Sequence, residues 1–144
     1  MSYPWPEPGQ TLAQILTPMP VIDEDRLAAN IARAQQYIAS HGKTFRPHIK
    51  THKIAAVARQ QIAAGAVGLN CQKLSEAEAF ADAGFDDILI TYNILGPERL
   101  ARLRTLNDRV AKLTVVADSD TTVGGLAAAL AGATKPLSVL VECE

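Results

Sequence analysis

Residues 87–117, DILITYNILGPERLARLRTLNDRVAKLTVVA, read as a strand, a helix and a second strand. The β-rich runs DILITY, from Asp87, and LTVVA, from Leu113, flank a helix-like stretch over Pro97–Val110, and Gly96-Pro97 places a proline in its first turn. The same unit repeats on either side. Further β-rich runs begin near Thr44 (TFRPHIK), Ala66 (AVGLN) and Leu137 (LSVLVEC), so the five starts lie 22, 21, 26 and 24 residues apart. Helix-like stretches fill the gaps at Ile54–Ala64, Glu76–Ala83 and Thr121–Ala131. Ser75 with Glu78 has the spacing of a capping box, and Gly65, Gly84 and Gly132 sit where helices end. Strands and helices alternating at this interval predict βαβ units and a parallel sheet.

Two α/β architectures share that pattern. An open doubly wound sheet binds ligands where its strand order reverses. A (β/α)8 barrel needs eight units and typically about 250 residues. Here four units and a fifth strand use the chain up to Glu144, and nothing follows Leu137–Cys143 to cover that strand. Half a barrel exposes an apolar interior and two sheet edges, so the barrel reading makes this chain an incomplete one. Residues 1–15 read as an irregular arm, since the first ten hold three prolines and a glycine, and residues 16–144 as the βα portion. Within Leu16–Asp23, Val21-Ile22 is expected to form a short edge strand. Asp23 or Asp25 then caps a helix to about Ser40, with Leu27, Ile31, Ala34 and Ile38 along one face and Gly42 ending it.

Composition narrows the partners. With 14 basic and 15 acidic side chains the chain has no field for a polyanion, so no nucleic-acid partner is expected. No apolar run approaches the roughly 18 residues of a membrane span, and MSYPWPEPGQ lacks the pattern of a secretory signal. Two cysteines, Cys71 and Cys143, form no CxxC pair and suit a reducing compartment, so a cytoplasmic location is expected.

The chemistry is concentrated in FRPHIKTHK, residues 45–53. On a strand Arg46, His48, Lys50 and His52 share one face. An early strand of a parallel sheet is normally apolar on both faces, so a polar inward face predicts the mouth of a pocket. Lys53 falls on the other parity and opens the next helix. An attacking lysine must be neutral, and nearby cations favour the neutral amine, which makes Lys50 the expected Schiff-base nucleophile. A metal held by His48 and His52 is disfavoured, because four residues of strand separate them by about 13 Å. Other candidates at strand C-terminal ends are Asn70, Gln72, Thr91, Tyr92, Asn93 and Asp118. Asp118-Ser119 also fits a helix cap, Thr91 and Asn93 also fit turns, and Cys71 fits a small buried apolar residue better than a nucleophile. Asp86-Asp87 precedes its strand, at the end of the barrel that carries stability.

RPHIKTHK resembles the cofactor-lysine motif R-P-H-x-K-T-H-K of the D-threonine aldolase and eukaryotic-type D-serine dehydratase family. The resemblance covers residues 17–144, including TPMPVIDEDRLAANIARA, CQKLSEAEAFADAGFDDILITYNILGPERLARL and the closing VLVEC. It implies the alanine-racemase fold, an N-terminal βα barrel carrying pyridoxal 5'-phosphate and a C-terminal β domain, whose first strand here would be Val21-Ile22. It further implies a lyase for D-β-hydroxy amino acids, with Lys50 carrying the cofactor, Gln72 and His48 beside it, and Arg46, His52, Tyr92 and Asn93 lining the substrate pocket. Aldolases of the family cleave Cα–Cβ to release glycine and an aldehyde; dehydratases lose the α-proton and the hydroxyl with help from a divalent metal. General similarity over Cys71–Leu103 favours the aldolase, with D-serine or 3-hydroxyaspartate dehydratase as the alternative. A non-catalytic pyridoxal-phosphate-binding barrel is a third reading, opposed by the Val21-Ile22 strand and the histidine-rich motif.

The family continues past this sequence with an R-C-G element, a phosphate site and a C-terminal metal pair, and Glu144 stands where aspartate is expected. The expectation is therefore a cofactor lysine without metal ligands in this chain, weak activity from these residues alone, and a homodimer at full length.

Overall fold

The computed structural model describes residues 5–143. Glu144 and the first four residues of the predicted arm lie outside them. Four strands, β1 (Leu69–Cys71), β2 (Asp87–Ile90), β3 (Lys112–Ala117) and β4 (Ser138–Val141), form one parallel sheet in the order β1-β2-β3-β4. Five helices accompany them: α1 (Glu24–Ser40), α2 (Ala55–Ala63), α3 (Leu74–Asp82), α4 (Pro97–Arg109) and α5 (Asp120–Ala129). The strand order equals the chain order and never reverses. Right-handed crossovers then place successive helices on one face of the sheet, which excludes the doubly wound fold and leaves a barrel segment. Among the described residues no helix is long and apolar enough to cross a membrane.

The register separates the two faces. Leu69 pairs with Ile88 and Ile88 with Leu113, while Cys71, Ile90, Val115 and Val139 form the next row. The first three strands of this outer face pack against Ala77, Phe80, Leu103 and Leu126 of the helices. The inner face reads Asn70, Leu89, Thr114, Ser138 across the sheet. Cations from neighbouring segments cap the helix C-termini, where carbonyls lack partners. Arg59 donates to Ala83 O at 2.8 Å, Arg104 to Ala131 O at 2.9 Å, and Lys135 to the carbonyls of Asn107 and Val110.

Four expectations need correction. The run from Thr44 forms no strand beyond one bridge, His48 to Asn70, because Ile49–Thr51 coils into a 3-10 turn. Val21-Ile22 is not a strand: both side chains are at least half exposed and pair with no sheet. The predicted arm contains a 3-10 turn at Leu12–Gln14. Helix α3 starts at Leu74 with Lys73 as N-cap, so Ser75 makes no capping box, and Glu78 instead pairs with Arg102 of α4. The helix after Asp23 forms as expected, with the Asp23 carboxylate accepting the Arg26 N–H at 3.0 Å. All four residues of β4 are exposed, as expected of a parallel strand uncovered on one side.

Candidate active site at the strand C-terminal ends

The 3-10 turn decides which motif residues meet. His48 Nδ1 accepts the Lys50 N–H at 3.2 Å, ending the extended segment and starting the turn. A side chain that satisfies a nearby backbone N–H competes with strand pairing in this way. Lys50 is therefore presented at the C-terminal end of the sheet, exposed, and its ammonium makes no ion pair among the described residues. His48 lies in register with Asn70, and its Nε2 is buried without a hydrogen-bond partner. Burial foremost, then the Lys50 charge, lowers the His48 pKa; Glu76 and the Gln72 side chain oppose the fall. The imidazole is neutral at pH 7, with Nδ1 as acceptor and Nε2 carrying the proton.

Gln72 follows β1, and its N–H donates to Glu76 Oε2 at 2.9 Å. The other Glu76 oxygen accepts the Lys53 ammonium. Glu76 is 6% exposed, and burial alone would raise its pKa, but Lys53 and the Gln72 N–H outweigh burial and hold the carboxyl below its ordinary range. Cys71 beside them is buried, and burial together with the Glu76 charge pushes its thiol up to about 12, so it is no nucleophile at neutral pH.

A second group follows across the sheet. Thr91 Oγ1 donates to Asn70 Oδ1 at 2.9 Å, and Asn93 Nδ2 donates to Asp118 Oδ2 at 2.5 Å. Tyr92, Asn93, Arg99, Asp118 and Glu142 border a cavity of about 730 Å³ that opens to solvent. The Ser119 hydroxyl foremost, with Asn93 and Thr122, holds the Asp118 carboxyl below its ordinary range. Ser119 is the N-cap of α5, so this pair both caps a helix and faces the cavity.

Two predicted pocket residues lie elsewhere. Arg46 sits at the opposite, N-terminal end of the strands, where Nη2 meets Asp87 Oδ1 at 2.9 Å and Nη1 donates to Asp87 O at 3.2 Å. It shares the His48 face, but two residues further from the mouth, and so builds the floor. His52 is carried away from Lys50 by the turn, because period-two alternation fails once the strand ends. It faces a groove of about 380 Å³ between α1 and α2, with Leu27, Ile31, Phe45, Val57 and Gln61. His48 and His52 thus lie among different neighbours, and the strand spacing assumed between them does not apply because the chain turns at Ile49–Thr51. Glu76, Arg99 and Glu142 were missed. Only Glu76 carried a signal, as an acid in the first turn of a helix that follows a strand end.

Burial lowers the His52 pKa as well as that of His48, from an ordinary value of 6.5. Below 6.5 the unfolded chain takes up protons that these folded rings resist, so acidification favours unfolding until the lowered folded values are reached. The urea midpoint is expected to be lower near pH 5.5 than near pH 7.5, and a His48→Gln, His52→Gln double variant should flatten that slope. An unchanged slope in the variant would assign the effect to other groups.

The family described as alanine racemase, N-terminal domain, matches residues 22–144. A D-threonine aldolase of Arthrobacter sp. is 39% identical over 96% of this chain and 36% of its own length. A D-threo-3-hydroxyaspartate dehydratase of Delftia sp. (strain HT23) is 42% identical over 82% of this chain and 31% of its own. The solved D-threonine aldolase of Filomicrobium marinum superposes with a TM-score of 0.88 at 36% identity, over 92% of this chain and 36% of that one. The chain spans about a third of the length of the curated relatives it matches.

Proposed function

The chain belongs to the family of alanine racemase N-terminal domains, and from that premise we propose that it carries the cofactor lysine of a pyridoxal-phosphate-dependent lyase for D-β-hydroxy amino acids, in the manner of D-threonine aldolase. One observation carries the reading. Lys50 stands exposed at the strand C-terminal ends, in no ion pair among the described residues, beside the buried Nε2 of His48.

That arrangement suits the group. An accessible amine is what an aldehyde-bearing cofactor needs, and the orphaned imidazole N–H and Gln72 supply polar contacts beside it. When bound, pyridoxal phosphate supplies an electron sink for bond cleavage at an amino acid's Cα. Lys50 would hold it, with His48 and Gln72 flanking. The chain's own residues contribute the rest. His48, kept neutral by burial and by Lys50, cannot add a positive charge next to the amine. Its Nδ1 bond to the Lys50 N–H fixes the ring tautomer and the turn together. Asn93 and Asp118 offer a donor and an acceptor at the mouth, where a β-hydroxyl can be oriented.

The dehydratase reading stands second, favoured by the 42% identity to the Delftia enzyme. Products separate the two: acetaldehyde from D-threonine marks the aldolase, and ammonia from D-threo-3-hydroxyaspartate marks the dehydratase. The primary test is to mix the chain with pyridoxal phosphate, reduce with borohydride and map the labelled peptide. Label concentrated on Lys50 at low cofactor is expected. Label scattered over surface lysines, or absent, would remove the cofactor reading.

A further inference from the structure

The motif contains two lysines three residues apart, and either amine could condense with an aldehyde, its nitrogen bonding the carbonyl carbon as water leaves. The structure treats them differently. Lys50 makes no ion pair among the described residues, whereas Lys53 is tied to Glu76, a carboxylate that is 6% exposed in the first turn of α3. The second Glu76 oxygen takes the Gln72 N–H at 2.9 Å. One side chain thus joins the segment after Lys50 to the loop after β1. Lys53 reaches it from a backbone φ of 53°, left-handed for a residue with a Cβ, which persists only where surroundings hold it.

We propose that Glu76 is a positioning residue for the Lys50 site: it clamps the Lys50 turn against the Gln72 loop and sequesters Lys53, so that a single amine is offered to the cofactor. The proposal rests on Lys50 as the cofactor lysine, and its test separates the two ideas. Glu76→Gln keeps the size and an acceptor for the Gln72 N–H while removing the charge that holds Lys53.

Two readings are taken, one of them without cofactor. In the apo chain, amide hydrogen exchange over residues 49–54 is expected to quicken by at least about 10-fold in Glu76→Gln, with β3 amides unchanged as the control for folding. After pyridoxal phosphate and borohydride, the ratio of label on Lys53 to label on Lys50 is expected to rise by at least about 10-fold, while Lys43 and Lys112 keep their wild-type levels. A general loss of stability would raise label on all of these lysines together, so the selective shift to Lys53 is the signature of the clamp. Lys53→Arg, which keeps the cation, should leave exchange over residues 49–54 and the label on Lys50 as in the wild type. Lys53→Met should reproduce the faster exchange and lower the Lys50 label, and it serves if Glu76→Gln does not fold. Exchange and label ratios within about twofold of wild type in the variants would overturn the proposal. If the wild-type chain takes no label on Lys50, the cofactor reading falls and exchange alone decides the clamp.

Discussion

Replacing Lys50 by alanine is expected to cut borohydride-stable pyridoxylation of the peptide carrying residues 49–53 by at least about 100-fold, without lowering the unfolding midpoint. The size follows from chemistry, because no other residue type here forms the reducible bond to an aldehyde as a primary amine does. Lys53 is the nearest substitute, and its ammonium is engaged by Glu76. Lys50→Arg should be as inert as alanine, since a guanidinium keeps the charge and loses the nucleophile. Stability should hold within about 0.5 kcal/mol because the Lys50 side chain is exposed and makes no ion pair among the described residues. Peptide mapping checks the first part and urea unfolding the second. Undiminished label on this peptide in Lys50→Ala would assign the cofactor to another amine.

The largest stability effect is expected from Gly68→Ala, a loss of about 3 kcal/mol measured by urea unfolding. Gly68 leads into β1 with a φ of 154°, and a Cβ there would lie 2.1 Å from Arg46 Nη1 and 2.7 Å from Asp87 O. The guanidinium can swing away, but only by giving up its bonds to the Leu69 and Asp87 carbonyls and to the Asp87 carboxylate. The Asp87 carbonyl is backbone of β2 and cannot swing. Adding Arg46→Met to Gly68→Ala should therefore restore only part of the loss, because the rigid backbone obstruction at 2.7 Å remains. A cost below about 1 kcal/mol would mean that β1 and β2 shift apart more easily than their register suggests.

The parallel sheet was legible because it depends on local periodicity. Runs such as DILITY and LTVVA place the starts of β2 and β3 within a residue of where they form. The barrel choice needed strand order, which periodicity does not contain, and which the family resemblance supplied. Within the site the sequence set Lys50 apart from Lys53 by parity and by nearby cations, whereas in the structure the two differ by an ion pair: Lys53 meets Glu76, and Lys50 meets no carboxylate among the described residues. The sequence misplaced His52 and Arg46 for two different physical reasons. Parity assumes the strand continues, whereas His48 Nδ1 captures the Lys50 N–H and turns the chain. Arg46 keeps the predicted face but not the predicted end, because a face says nothing about height along the barrel axis. The edge strand at Val21-Ile22 was read from its flanking prolines and the family resemblance, and a strand also requires a partner; among the described residues both stay at least half exposed. The Glu76 clamp was invisible because its partners are 23 residues apart and meet only after β1 and α3 have folded.

Strand order that follows chain order also shapes how such a protein can change over generations. Each wall of the mouth comes from a different βα unit: Lys50 before β1, Gln72 after it, Asn93 after β2, Asp118 after β3, Glu142 after β4. Neighbouring walls are also tied to one another, Asn93 to Asp118 and Lys53 to Glu76, so a substitution in one loop is felt in the next. The Arg46–Asp87 floor, at the far end of the strands, preserves the scaffold meanwhile. A D-threonine aldolase and a D-threo-3-hydroxyaspartate dehydratase both stand among the relatives of this scaffold, at about 40% identity.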